Sequence, residues 1–263
     1  MPDGKRLLIV ATDRPAEDAH TNRIFLHTID GGHMEEVLAP RGPFHNVKVA
    51  PGGRSFSFIG ARVDGPGAHD LMVCGFDTRT PRNLTGTSID RPVMSYEWID
   101  DSDLATLFLN GFHTEVNAIG SKARKLIQDD SIDPASFALS AAGSIAYVAG
   151  TAVRLHELWV DGKQVTHLNN ALADVPLYKP EFYRYKSFDG MPIEAALYRP
   201  EGAAESRPGS MVVPIHGGPT GAWGNRFDGL TQLLVTKGYT VMQPNIRGSV
   251  GYGHKFIESN RTD

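Results

Sequence analysis

Four turn-like segments recur along the first two thirds of the chain, and each leads at once into an apolar run. They are Pro2-Asp3-Gly4-Lys5, Pro51-Gly52-Gly53-Arg54, Asp100-Asp101-Ser102-Asp103 and Ala141-Ala142-Gly143-Ser144. The runs that follow are Leu7-Leu8-Ile9-Val10, Phe56-Ser57-Phe58-Ile59, Leu104-Ala105-Thr106-Leu107-Phe108 and Ile145-Ala146-Tyr147-Val148. Gly4 to Gly53 is 49 residues, Gly53 to Ser102 is 49, and Ser102 to Gly143 is 41. A second turn recurs inside each unit, at Asp30-Gly31, Asp77-Thr78, Gly120-Ser121 and Asp161-Gly162. Strand-like runs flank it, such as Leu158-Trp159-Val160 before and Val165-Thr166-His167-Leu168 after. Short β-rich runs separated by Asp/Gly turns predict antiparallel hairpins. A period of about 40–50 residues with about four strands per unit predicts propeller blades. A β-sandwich with coincidental spacing is the competing architecture. The propeller is favoured because two turn types recur in phase. The chain opens inside a unit, so residues 1–172 are expected to form a partial propeller of about four blades.

After Leu168-Asn169-Asn170 the repeat ends, and Ala171 to Pro180 reads as a linker. Phe182-Tyr183-Arg184-Tyr185-Lys186-Ser187 alternates as a strand. Phe188-Asp189-Gly190 is its turn, and Ile193-Glu194-Ala195-Ala196-Leu197-Tyr198 pairs back as a hairpin. Met211-Val212-Val213-Pro214-Ile215 is a continuous apolar run, the pattern of a strand covered on both faces, with pairing expected to end at Pro214. Phe227, Leu230, Leu233 and Leu234 share one helical face, and Gly238 is placed to end that helix in a left-handed conformation. Tyr239-Thr240-Val241-Met242-Gln243 is the next strand. Strand, helix and strand make a βαβ unit. The fold class expected is therefore mixed: all-β propeller blades, then over residues 173–263 the N-terminal part of an α/β sheet.

Composition excludes several function classes. Net charge is 26 − 30 = −4, which gives no electrostatic case for nucleic acid or a membrane surface. Cys74 is the only cysteine, so no disulfide within the chain and no cysteine-based zinc site is available. It lies in Leu71-Met72-Val73-Cys74 and reads as a small core residue. No run of about 18 apolar residues suggests a membrane span. Met1-Pro2-Asp3-Gly4-Lys5 is not a signal peptide, and a cytoplasmic setting is expected. The histidines lack metal-ligand spacing; His156-Glu157 has no second His at helical spacing. Gly251-x-Gly253 lacks the third glycine of a dinucleotide fingerprint, so neither cofactor nor metal is expected.

Two loops carry chemistry. His216-Gly217-Gly218-Pro219 follows a strand, and its glycines let the backbone turn sharply and expose N–H groups. In α/β hydrolases such a loop supplies one donor to the oxyanion hole, and a backbone donor suits this work because it is fixed before charge develops. The alternative is a plain strand-to-loop turn. Asn245-Ile246-Arg247-Gly248-Ser249-Val250-Gly251-Tyr252-Gly253 follows the next strand. Arg247 is expected to pair with a carboxylate near the site, because a guanidinium does not act as a base. Ser249 sits in Gly248-Ser249-Val250-Gly251 but fails G-x-S-x-G, since position 247 is arginine, and reads as a loop residue. His216 precedes any nucleophile in the hydrolase order of Ser, Asp, His, so its role is to shape the loop together with Gly217 and Pro219. Glu35-Glu36 lies in a blade-strand context and reads as a solvated strand face.

Taken in order, Phe188-Asp189-Gly190, Ala196-Leu197-Tyr198-Arg199-Pro200, His216-Gly217-Gly218-Pro219 and the loop from Asn245 to Gly253 resemble the start of the catalytic domain of prolyl oligopeptidase family serine peptidases. The acylaminoacyl-peptidase-like subgroup carries His-Gly-Gly-Pro at this place. His156-Glu157-Leu158-Trp159-Val160 and Thr166-His167-Leu168-Asn169 resemble the final blade of those enzymes. The resemblance implies a β-propeller capping an α/β-hydrolase domain, with short peptides as substrates and Gly218 N–H as an oxyanion donor. No G-x-S-x-G occurs in the 263 residues, so the triad is expected beyond Asp263 and the chain alone is expected to be inactive. A carboxylesterase remains an alternative, because His-Gly-Gly loops serve esterases too, although simple esterases carry no propeller. A non-catalytic propeller binding module with a vestigial hydrolase half-domain is the alternative from another class. Oligomeric state, including a homo-oligomer, stays open.

Overall fold

The computed structural model describes residues 1–17, 21–62, 67, 69–172, 174–202, 209–218 and 220–260. The chain forms two compact units, Met1–Thr106 with Asn117–Leu126, and Leu107–Val116 with Ile127–Asp263.

Four successive antiparallel meanders account for the repeat. Strands β1 (Arg6–Ala11), β2 (Arg23–Thr28) and β3 (Met34–Leu38) form the first sheet. Strands β4 (Phe44–Val49), β5 (Ser55–Gly60), β6 (Asp70–Gly75) and β7 (Arg82–Asn83) form the second. The third is β8 (Val93–Trp98), β9 (Leu104–Asn110), β10 (His113–Ile119) and β11 (Arg124–Lys125), and the fourth is β12 (Asp133–Leu139), β13 (Ile145–Thr151), β14 (Arg154–Val160) and β15 (Lys163–Gln164). Within each sheet every strand neighbours the next in sequence. That is the local pattern of propeller blades; a Greek-key sandwich would place strands beside non-consecutive partners. The first recurring turn leads into β1, β5, β9 and β13, and the second precedes β3, β7, β11 and β15. The two turn types are thus the same two corners of one repeated meander.

In the first unit, the first two sheets share a core of Ile24, Val37, Phe44, Phe56, Phe58, Met72 and Cys74. Alternation along each strand sends these side chains to one face. Phe44 meets Phe58 edge-on, with ring centroids 5.7 Å apart. Each such aromatic contributes about 1.5–3 kcal/mol by burial. Cys74 is a buried thiol, as its apolar neighbours suggested.

The last sheet ends earlier than the sequence suggests. Strand β15 holds only Lys163 and Gln164, and Val165–Leu168 lies outside it. The Glu157 carboxylate accounts for this. It accepts from the Thr166 hydroxyl and from the backbone N–H groups of Leu168 (3.1 Å) and Asn169 (3.0 Å), so a carboxylate replaces the ladder there.

Beyond the meanders the second unit holds a mixed sheet. Strands β16 (Glu181–Lys186) and β17 (Pro192–Tyr198) form the hairpin around Phe188-Asp189-Gly190, where Gly190 takes φ +86°. Strand β18 (Met211–Val212), helix α1 (Gly229–Thr236) and strand β19 (Thr240–Asn245) follow, then the short helix α2 (His254–Glu258). The strand order is β16-β17-β19-β18; β19 runs antiparallel to β17 and parallel to β18. Asp228 caps α1 by accepting from Thr231 N–H at 3.1 Å, and Gly238 follows the helix at φ +90°.

Two details differ from expectation. The helix buries Thr231, Gln232 and Val235, while Leu230 and Leu233 are 63% and 54% exposed. Polar residues hold the inner face because all are bonded. Gln232 Nε2 donates to Ala152 O and Tyr178 O, its Oε1 accepts from Tyr178 N–H, and Gln243 donates to the Thr231 hydroxyl. Strand β18 stops at Val212, and Met211, Val213 and Ile215 are exposed rather than covered on both faces. Among the described residues it is the edge of the sheet, with β19 as its single neighbour.

Candidate active site

The parallel pair β18 and β19 point their carboxyl ends the same way. The loops that follow them therefore emerge together, at the place where open α/β sheets bind ligands. The loop after β18 carries His216. A Cβ at Gly217 would meet open space, whereas Gly218 takes φ +132° and a Cβ there would lie 2.6 Å from the Gly221 nitrogen. Gly218 is thus a glycine by necessity. Pro219 lies outside the described residues.

The loop after β19 holds this one at several points. His216 Nε2 lies 2.7 Å from Ser249 Oγ, and its Nδ1 lies 3.1 Å from Gly217 O. Val250 N–H donates to Gly221 O at 3.2 Å. At the end of β19 the buried Asn245 accepts from Trp223 N–H (2.7 Å) and donates to Trp223 O (3.1 Å), replacing a missing backbone partner with its own amide. Asn245 also donates to the Tyr252 hydroxyl at 2.8 Å, which in turn donates to Glu194 at 2.8 Å. Burial, with Glu194 beside it, pushes the Tyr252 phenol well above the ordinary range.

Arg247 pairs with Asp189 in the β16–β17 turn. Its hydrogen bond, with a second from Met191 N–H, holds the Asp189 carboxyl below the usual carboxylate range. The guanidinium also lies 5.9 Å from the centroid of Phe188, a ring that is 96% exposed. Arg247 therefore joins two motifs that lie 58 residues apart in sequence.

The β9–β10 turn packs against the same region. Asn225 N–H donates to Phe112 O at 2.7 Å, and Asn225 Nδ2 donates to Asp133 Oδ2 at 2.7 Å. Asp133 also accepts from Thr114 N–H (3.0 Å) and faces His113 Nδ1 at 3.1 Å. A shared core of Phe112, Ala152, Ala196, Tyr198, Val235 and Val241 lies beneath.

His216, Gly217, Gly218 and Arg247 thus lie in one region. Asn245, Tyr252, Glu194 and Asn225, which the sequence did not single out, form its polar frame. A polar residue closing an apolar strand, as Asn245 does, was the available signal. Glu35 pairs with Arg79 and Glu36 with Arg23 on a strand face, apart from this region in sequence and sheet. Among the described residues, no helix is long and apolar enough to cross a membrane, and no group of three or more His, Cys, Asp or Glu is arranged to hold a metal.

No protein-family model matches the chain. The peptidase YuxL of Bacillus subtilis is 33% identical over 102 residues, 38% of this chain and 16% of YuxL. Dipeptidyl-peptidase 5 of Arthroderma otae is 24% identical over 299 residues, 100% of this chain and 40% of that protein. In fold the chain is similar to the acylaminoacyl peptidase of Pyrococcus horikoshii, with a TM-score of 0.79 at 21% identity over 96% of this chain and 40% of that one. A puromycin hydrolase gives a TM-score of 0.73 at 17% identity over 98% of this chain and 42% of the other. The chain thus spans well under half the length of these relatives.

Proposed function

We propose, because the chain belongs to the prolyl oligopeptidase family of peptidases, that it is part of a serine peptidase acting on short peptides or acyl-aminoacyl substrates. On this reading residues 1–172 are blades of the capping propeller and residues 173–263 open the α/β-hydrolase domain. The mixed strand order β16-β17-β19-β18 and the matched motifs support that division. The acylaminoacyl-peptidase-like subgroup is favoured by the His-Gly-Gly-Pro loop.

The observation that carries the reading is Gly218. Its backbone conformation demands glycine, and the loop bearing it is tied to the β19 loop by His216, Gly221 and Trp223. A preorganised backbone N–H of this kind stabilises the oxyanion of acyl transfer, and one such donor is worth about 10²–10³ in turnover. His216 and Gly217 shape the loop, and Arg247 fastens the neighbouring β19 loop to the β16–β17 turn. The nucleophile, its aspartate and its histidine lie beyond this chain.

The test compares the 263-residue chain with the product of the whole reading frame. The longer protein is expected to react with a fluorophosphonate probe and to cleave acyl-aminoacyl or dipeptidyl chromogenic substrates, and the 263-residue chain to do neither. A reading frame that ends at Asp263, with no activity, would favour the propeller binding module instead.

A further inference from the structure

We infer that Ser249 is a positioning residue of the His216-Gly217-Gly218 loop and not a nucleophile. The inference deepens the proposed role of Gly218 and rests on that reading for the loop's function, though its geometry stands by itself.

Direction of hydrogen bonding decides the matter. A serine hydroxyl carries one proton. Ser249 Oγ lies 2.6 Å from Ile246 O, a carbonyl that only accepts, so the proton is committed there. Ser249 N–H donates to the same carbonyl at 3.0 Å, which fixes the residue from two sides. The 2.7 Å contact with His216 then runs the other way: Nε2 carries a proton and Ser249 Oγ accepts it. In the neutral ring this leaves Nδ1 unprotonated beside Gly217 O, the longest of the three contacts at 3.1 Å, whereas the opposite tautomer would serve Gly217 O and break the 2.6 Å bond to Ile246 O. In a nucleophile–base pair the hydroxyl donates to an unprotonated ring nitrogen. That arrangement here would leave Oγ and Ile246 O facing each other at 2.6 Å with no proton between them. Ser249 is also fully buried, out of reach of a substrate.

The same bond explains what Ser249 contributes. His216 immediately precedes the two glycines, whose backbone has no side chain of its own to anchor it. Ser249 holds the ring before them and Val250 holds Gly221 after them. Consecutive residues of one loop thus clamp both ends of the other. A shift of about 1 Å in a catalytic donor can cost about 10²-fold in rate, so the clamp matters to the chemistry although it touches no substrate.

The test is the tautomer of His216, read by long-range ¹H–¹⁵N NMR on the histidine-labelled chain at a pH where the ring is neutral. The wild type is expected to show a single Nε2–H tautomer. Ser249→Ala is expected to give a mixture and to shift the Gly217 and Gly218 amide signals, and Ser249→Thr, which keeps the hydroxyl, to restore the wild-type pattern. An Nδ1–H tautomer in the wild type overturns the inference whether or not either variant folds. So does a wild-type pattern in Ser249→Ala, or fluorophosphonate labelling of Ser249. A wrong assignment of Gly218 would appear in turnover of the whole enzyme and would leave the tautomer unchanged.

Discussion

The backbone N–H of Gly111 donates to the carbonyl oxygen of Gly251 at 2.9 Å, so the β9–β10 turn and the loop after β19 touch main chain to main chain. Both glycines have left-handed backbone, φ +62° and +94°. A Cβ on Gly111 would lie 2.8 Å from Glu194 Oε2, inside the Glu194–Tyr252–Asn245 network. The approach excludes side chains at the contact.

Gly111→Ala is therefore expected to destabilise the chain by about 2 kcal/mol, from left-handed backbone strain and displacement of Glu194. Chemical denaturation measures it. A change under about 0.5 kcal/mol would mean that Glu194 moves aside freely.

Gly217 and Gly218 are expected to respond differently. Gly217→Ala has open space for its Cβ and should leave stability and the loop signals near wild type. Gly218→Ala meets the Gly221 nitrogen at 2.6 Å and should displace the loop. Amide chemical shifts of residues 216–223 distinguish the two; equal perturbation by both would contradict the loop geometry.

Much of this was legible in the sequence, and the limits have physical causes. The first recurring turn located β1, β5, β9 and β13 and the second β3, β7, β11 and β15, because such turn corners have local chemistry. The inner face of α1 was misread because periodicity counts leucines, whereas Thr231 and Gln232 are buried by partners such as Gln243 and Tyr178, distant in sequence. For the same reason Arg247 could be expected to find a carboxylate, but not that Asp189 would supply it.

Glu157 sets an acid limit on the last meander. Its carboxylate accepts from Thr166, Leu168 and Asn169, and the Thr166 hydroxyl does most to hold its pKa at about 2. A lowered folded value means stability present above the unfolded value of 4.5 and lost as pH falls from there towards about 2. Glu157→Gln should melt below wild type at pH 7, and the deficit should shrink between pH 5 and pH 2. A constant deficit would show that packing, not charge, is at work.

His113 has the opposite sign. The hydrogen bond to Asp133 raises its pKa above 6.5, with Glu194 and Glu115 adding to the effect. A raised folded value gives stability fully present below the unfolded value and lost as pH rises through the folded one. The stability difference between wild type and His113→Gln should be at its full size below the unfolded value of 6.5 and shrink as pH rises above it. An NMR titration midpoint at or below 6.5 would contradict the Asp133 pairing.

The exposed edge of the mixed sheet makes the last prediction. Among the described residues strand β18 has one neighbour, and Met211, Val213 and Ile215 lie exposed along and beyond it, with Leu230 and Leu233 exposed on α1. An apolar edge with unpaired N–H and C=O groups is a template for another chain. The run itself, Met211-Val212-Val213-Pro214-Ile215, carries no charge. The 263-residue chain is therefore expected to self-associate with rising concentration, seen by size-exclusion chromatography with light scattering. Val213→Lys or Ile215→Lys places a charge on that edge and should return the monomer without lowering the melting temperature, because neither side chain is buried. A wild-type chain that stays monomeric and melts cooperatively at all concentrations would show that Pro214 already blocks the edge.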